Sequence, residues 1–198
     1  LSVLIVLCSW TSGKSPTFAI QPLGEIEPDL VSLARSALSE TYGAGSVTVL
    51  PPQPLPSRAF YEPRKRYRAE RLLGYLSELR SDRVTKLIGL TSVDISTTKG
   101  QYDDWGIFGM AFLGGSTCVI SSYRLGRGRV DPAQFASRVK KVVAHEVGHT
   151  LGLPHCETSG CIMQDAQGKI STIDRSDGRL CGDCRKQIGI AQASVWPP

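Results

Sequence analysis

The stretch that decides the fold is His145-Glu146-Val147-Gly148-His149-Thr150-Leu151-Gly152-Leu153-Pro154-His155-Cys156. It reads H-E-x-x-H-x-x-G-x-x-H-C and holds all 3 histidines of the chain. On a helix, two histidines four residues apart stand about 40° from each other around the axis, so both rings can reach one ion. Glu146 stands about 60° from His149 by the same arithmetic. That leaves it beside the ion without being a ligand, where a base that takes a proton from metal-bound water belongs. Gly152 favours the left-handed turn that ends a helix, and Pro154 stiffens the approach of a third ligand, His155. Three neutral nitrogens leave a fourth tetrahedral position open, the mark of a catalytic rather than a structural zinc site. The extended motif is far more specific than H-E-x-x-H alone.

Working upstream, Asp131-Pro132 is a strong helix start, a cap followed by proline in the first turn. The helix should run to about Leu151. Phe135, Val139, Val142 and Val143 form its buried face, with His145 and His149 at the edge of that face. The metal then lies between core and cleft. Ile107 to Leu113 and Thr117 to Ser121 read as two strands joined by Gly114-Gly115-Ser116, a hairpin whose edge strand could hold an extended peptide. Asp103-Asp104-Trp105-Gly106 reads as a turn, its acids solvated rather than calcium ligands. Earlier come a strand at Thr17 to Gln21, a helix capped by Asp29 and running to about Tyr42, and a strand at Ser46 to Leu50. A proline-rich connecting loop follows, then a helix at Tyr67 to Leu79 and a buried strand at Val84 to Ile95. This β-α-β-α-β order argues for a largely parallel sheet with helices packed on it.

Downstream lie Cys156, Cys161, Cys181 and Cys184. Two close pairs separated by a loop are the usual spacing of a four-thiolate zinc site, which is closed and structural. Cys181-Gly182-Asp183-Cys184 reads as a knuckle that aims two sulfurs at one ion. Two disulfides in an exported protein, or a redox pair at Cys181 and Cys184, are the competing readings. Met163 is either a plain core residue or a methionine lying beneath the catalytic metal. Cys8 and Cys118 sit in apolar runs and read as buried free thiols.

The chain has 198 residues and 41% apolar content, enough for one domain with a sizeable core. No apolar run reaches the roughly 18 residues of a transmembrane helix. The net charge is +5, and Arg58 to Arg71 carries +4 of it. A nucleic-acid patch would look like this, but no aromatic-rich binding motif accompanies it, and a solvated helix face is the plainer reading. Residues 1–16 open on an apolar run, Val3 to Cys8. They are either the remnant of a secretion signal or a fragment boundary, and stand apart from a domain at 17–198 whose C-terminal zinc-knuckle subdomain begins at about 153. A cytoplasmic monomer is expected, with export left open by that apolar run.

With these residues in hand, the chain resembles the archaemetzincins, metzincin-clan zinc metallopeptidases of peptidase family M54. Their pattern, H-E-x-x-H-x-x-G-x-x-H-C-x(4)-C-x-M-x(17)-C-x-x-C, is matched without departure by His145, Glu146, His149, Gly152, His155, Cys156, Cys161, Met163, Cys181 and Cys184. The resemblance implies an α+β, zincin-like fold: a mixed, mostly parallel sheet with backing helices, an active-site helix, a Met-turn at Met163 and a small zinc-stabilised C-terminal subdomain. It implies two zinc ions per chain, a catalytic one on His145, His149 and His155 and a structural one on the four cysteines, with Glu146 as the base. The expected activity is hydrolysis of a peptide or protein substrate, with no nucleic-acid partner. Some metzincins add a tyrosine beyond the Met-turn, and this chain has none after Tyr123. The alternative is a non-catalytic, zinc-stabilised binding module using the basic Arg58–Arg71 face.

Overall fold

A computed structural model describes residues 16–190. The apolar opening run and the last residues, 191–198, lie outside the described residues.

The chain opens with strand β1 (Phe18–Pro22) and helix α1 (Pro28–Tyr42). Proline in the first turn pre-sets the backbone of α1, and Gly43 ends it in the left-handed conformation at φ 63°. The cap position falls on Glu27, so Asp29 lies inside the first turn, where its charge favours the helix N-terminus. Then come β2 (Val47–Val49), the two-residue β3 (Phe60–Tyr61), β4 (Arg66–Arg68) and α2 (Ala69–Leu79). Strands β5 (Lys86–Thr91), β6 (Ile95–Lys99), β7 (Tyr102–Ile107), β8 (Gly109–Ala111) and β9 (Thr117–Ser121) lead to the long helix α3 (Pro132–Thr150). Two short helices, α4 (Ile170–Arg175) and α5 (Gly182–Gln187), belong to the tail.

The main sheet has the order β2-β1-β5-β9-β8. Its first four strands are parallel, and β8 runs antiparallel along the edge. The strand period of two divides its side chains between two cores. Phe18, Ile20, Ile88, Leu90, Cys118 and Ile120 face α1 and α3. Ala19, Leu87 and Val119 face Leu72, Leu73 and Leu76 of α2. Burial on both faces is what a parallel sheet requires, and the C-terminal end of α3 is tied to the sheet where Lys86 of β5 donates to the Thr150 carbonyl at 2.6 Å. The expected mixed, mostly parallel sheet with backing helices is present.

A second sheet, β3-β4-β6-β7, departs from the sequence reading. The single strand expected over Val84–Ile95 is split at Ser92-Val93-Asp94. The Thr91 hydroxyl donates to the Leu23 carbonyl at 3.0 Å, and Asp94 is gripped by Arg66 and Arg124. Those bonds turn the chain into the second sheet. Asp103 and Asp104 lie in β7 rather than in a turn, and Asp104 is buried against Arg66 at 2.8 Å. Tyr67 and Arg68 belong to β4, so α2 begins two residues later than expected.

Helix α3 starts as read: the Asp131 carboxylate accepts from the Gln134 backbone N–H at 2.9 Å. Arg138, buried on the same helix, forms a two-pronged pair with Asp174 of α4 at 2.7 Å on each prong and donates to the Leu125 carbonyl at 2.9 Å. This pair fastens α4, one wall of the cleft described below, to the active helix. The Arg138 guanidinium holds the Asp174 carboxyl below the usual carboxylate range. A carboxyl so lowered stabilises the fold above its unfolded pKa, and that contribution fades as pH falls through the folded value. Asp174→Ala, which strands a buried guanidinium, should cost about 3 kcal/mol in urea unfolding at pH 7. The gap from wild type should narrow steadily below about pH 4.

Candidate metal centre

Helix α3 carries His145, Glu146 and His149 on the side facing the cleft. Local backbone geometry settles the protonation of the two rings. The His145 Nδ1–H donates to the Ile162 carbonyl at 2.8 Å, and the His149 Nδ1–H donates to the Leu153 carbonyl at 2.8 Å. A carbonyl can only accept, so the proton sits on Nδ1 and Nε2 is bare in each neutral ring. Burial, reinforced by the neighbouring His149, holds His145 down to about 4. Burial lowers His149 as well. The two bare Nε2 atoms nevertheless face each other at 3.0 Å. Two converging lone pairs repel unless a cation lies between them. Zinc–nitrogen bonds of 2.0–2.1 Å in a tetrahedron put neighbouring nitrogens about 3.3 Å apart, so the spacing suits zinc closely.

His155 arrives from beyond the helix. Gly152, at φ 94°, turns the chain after α3 ends, as the motif requires. Ring centroids of His155 and His149 are 4.9 Å apart, and one nitrogen from each of the three histidines lies within 4.8 Å of the others. His155 is exposed, and its Nδ1 is 3.9 Å from an Asp165 carboxylate oxygen.

Glu146 is buried beside these rings, and burial pushes its carboxyl up to about 8. Its seat depends on Gly109 of β8. A Cβ at Gly109 would fall 2.6 Å from Glu146 Cγ and 2.8 Å from Oε1. Only a glycine lets the edge strand approach so closely. The cleft above has a volume of about 260 Å³, floored by the histidines and Glu146 and walled by Trp105, β8, α4 and the loop Asp165–Gly168.

The four tail cysteines converge on one point. Their sulfurs all lie within 4.8 Å of one another, with Cys156–Cys181 and Cys161–Cys184 each at 3.8 Å. Four sulfurs held tetrahedrally by zinc at about 2.3 Å have edges of about 3.8 Å. The described cysteines are all free, so the two-disulfide reading is not met. Cys181 and Cys184 also do not stand apart as a redox pair. Backbone N–H of Cys184 pulls the Cys181 thiol down to about 6, while burial pushes Cys161 and Cys184 up. Cys8 lies outside the described residues.

Met163 bridges the two clusters. Its carbonyl accepts from the Cys156 N–H at 2.9 Å, and its buried sulfur lies against Gly148 of α3. Sequence reasoning missed Gly109, Gly148 and Asp165 as shapers of this site. A glycine inside an otherwise regular strand was a usable signal for Gly109. Asp165 gave none, because a lone acid in a polar loop has no pattern.

The basic stretch is not a solvated helix face. Five of its cations, Arg58, Arg64, Lys65, Arg66 and Arg68, meet carboxylates on Glu78, Asp104, Glu62, Asp94 and Glu70. Arg58, Arg64 and Lys65 stay mostly exposed, while Arg66 is sequestered between Asp94 and Asp104.

Comparison with known proteins now adds a family. The profile of Peptidase family M54 matches residues 49–189. Archaemetzincin of Haloquadratum walsbyi is 35% identical over 176 residues, covering 85% of this chain and 97% of that protein. Archaemetzincin of Archaeoglobus fulgidus is 30% identical over 169 residues, covering 85% and 96%. Among solved structures, archaemetzincin of Methanopyrus kandleri aligns at TM-score 0.77 and 27% identity over 90% of this chain and 97% of its own. The malonate complex of the Archaeoglobus fulgidus protein aligns at TM-score 0.72 and 29% identity over 86% and 99%.

A Cβ at Gly148 would lie 2.5 Å from Met163 Sδ and 3.1 Å from the Tyr42 hydroxyl. Gly148→Ala should therefore destabilise the protein by about 1–3 kcal/mol through overpacking, read by urea unfolding. The double variant Gly148→Ala/Met163→Ala should lose less than the sum of the single losses, since the two sites share one space.

Proposed function

The chain belongs to peptidase family M54 and is a zinc metalloprotease, and from that premise we propose that it hydrolyses peptide bonds with His145, His149 and His155 holding the catalytic zinc and Glu146 moving the proton. The observation that carries this reading is the pair of bare, partly buried Nε2 atoms pointed at each other at 3.0 Å. A structural histidine would spend its second nitrogen on a protein donor. These two are kept neutral and kept free.

Zinc bound there would supply Lewis acidity, drawing the pKa of a water toward about 7 and polarising the scissile carbonyl. Glu146 would hold the proton given up by the attacking water and pass it to the leaving amine. Its burial suits the task. A carboxyl pushed up toward neutrality holds a proton long enough to deliver it, and the charge of a bound cation would draw it back toward the ionised, accepting form. The apolar wall around it excludes competing solvent.

Strand β8 supplies the substrate platform. It is the last strand of the main sheet, and its outer edge faces the cleft. An extended peptide can add there as a further strand by main-chain hydrogen bonds, which act on any sequence. Gly109 then does double duty, since it both seats Glu146 and exposes main chain to the substrate. The four cysteines would hold a second, structural zinc, for a total of two per chain. The fit of four free sulfurs to a tetrahedral edge of about 3.8 Å supports this.

Two measurements test the proposal. A diverse peptide library is digested by the zinc-loaded wild type and by Glu146→Gln, with new ends read by mass spectrometry. Turnover should fall by about 10²–10⁴-fold in the variant while bound zinc is unchanged, and undiminished cleavage would sink the role given to Glu146. Elemental analysis should find two zincs in wild type. Cys184→Ser should lose one of them and melt at a lower temperature, because the tail's core contains that sulfur.

A further inference from the structure

The three histidines are not held alike. Backbone carbonyls of Ile162 and Leu153 fix the rings of His145 and His149, each at 2.8 Å. His155 lies beyond the helix, about half exposed, with an Asp165 carboxylate oxygen 3.9 Å from its Nδ1. A ligand on a turn with a loose ring would surrender rotational entropy each time it bound metal.

We propose that Asp165 is the positioning residue for His155: its carboxylate accepts the Nδ1–H and so turns the Nε2 lone pair toward those of His145 and His149. This rests on the reading of the three histidines as the zinc ligands, and extends it to the group that aims the third.

The aim is built into the loop. One Asp165 oxygen, Oδ1, accepts from the Gln167 backbone N–H at 2.8 Å, an Asx turn that fixes the side chain. The Lys169 N–H closes the next turn onto the Ala166 carbonyl at 2.8 Å. Gly168, at φ 72°, passes against the Trp105 ring. With Oδ1 committed to the loop, Oδ2 is the oxygen left to face His155. The present 3.9 Å exceeds a hydrogen bond. The His155 side chain is 49% exposed, so a modest rotation of its ring toward the fixed carboxylate closes the gap without disturbing a packed core. A carboxylate on the far nitrogen of a ligating imidazole fixes its tautomer and raises its basicity.

The test reads metal rather than turnover. Zinc affinity of the histidine site is measured by chelator competition on the full chain for wild type, Asp165→Ala, Asp165→Asn, Asp165→Glu and His155→Ala. Cobalt-loaded samples of each supply an absorption spectrum of the histidine site. Asp165→Ala should bind about 10–100-fold more weakly. Asp165→Asn can still make the Asx turn but lacks the charge, and should fall most of the way to the alanine value with an altered cobalt spectrum. Asp165→Glu should recover much of the loss, and the cysteine-held metal should remain in all. Asp165→Asn within about twofold of wild type would overturn the proposal, since the loop alone would then explain any alanine effect. His155→Ala retaining wild-type affinity and spectrum would instead remove His155 from the ligand set, and the underlying site reading would fail first.

Discussion

Everything near the cleft depends on one constraint: two imidazole lone pairs are held face to face on its floor. Backbone carbonyls take the Nδ1 protons of His145 and His149, and burial keeps the rings neutral. That arrangement is costly in a bare protein and favourable around a cation. It is maintained because α3 cannot turn away. The helix is packed against α1 and the main sheet through Val139, Val142, Val143 and Val147, and Arg138 ties its outer side to Asp174. A rotation that relaxed the histidines would expose those valines, at roughly 1.5–3 kcal/mol each.

The carbonyls that hold the rings come from the segment after the helix, so the tail is part of the active helix's environment. Ile162 accepts from His145, and its own N–H donates to the Arg179 carbonyl at 2.8 Å. Met163, next along, receives the Cys156 N–H and packs its sulfur on Gly148. Cys156 in turn follows His155 directly. The cysteine cluster and the histidine cluster are therefore joined by one peptide link and by a short ladder of backbone bonds. Whatever stiffens one limits the other.

The legible parts of this structure were those with a period or a fixed spacing. The continuous apolar run of β5, the capped start at Asp131-Pro132 and the eleven-residue motif could all be read because each is a local rule repeated or extended. The splitting of Val84–Ile95 could not. Ser92 and Asp94 are weak turn signals by themselves, and the turn there is held by Arg66 and Arg124, each 26 or more residues away in sequence. The same long-range pairing misled the reading of the basic stretch and of Asp103-Asp104. Charge counted along a chain cannot reveal that Asp104 will lie under Arg66. Asp165 escaped notice for a related reason, since its partner is chosen by a turn rather than by spacing.

The tail's small core explains why a metal should matter beyond catalysis. Around Leu153, Ile162, Met163, Leu180 and Ile188, the buried cluster includes Cys161 and Cys184 themselves. Taken as thiols, four sulfurs in mutual contact contribute modest apolar burial. Taken as thiolates without a cation, they repel, and burial drives two of them toward the protonated form. A zinc ion bound there would reverse both terms, and metal-binding energy would become folding energy for this segment. Since the segment also supplies Ile162, Leu153 and His155 to the histidine site, loss of a metal bound by the cysteines would loosen the histidine geometry. Peptide-bond chemistry in this chain would then depend on an ion that never touches the peptide.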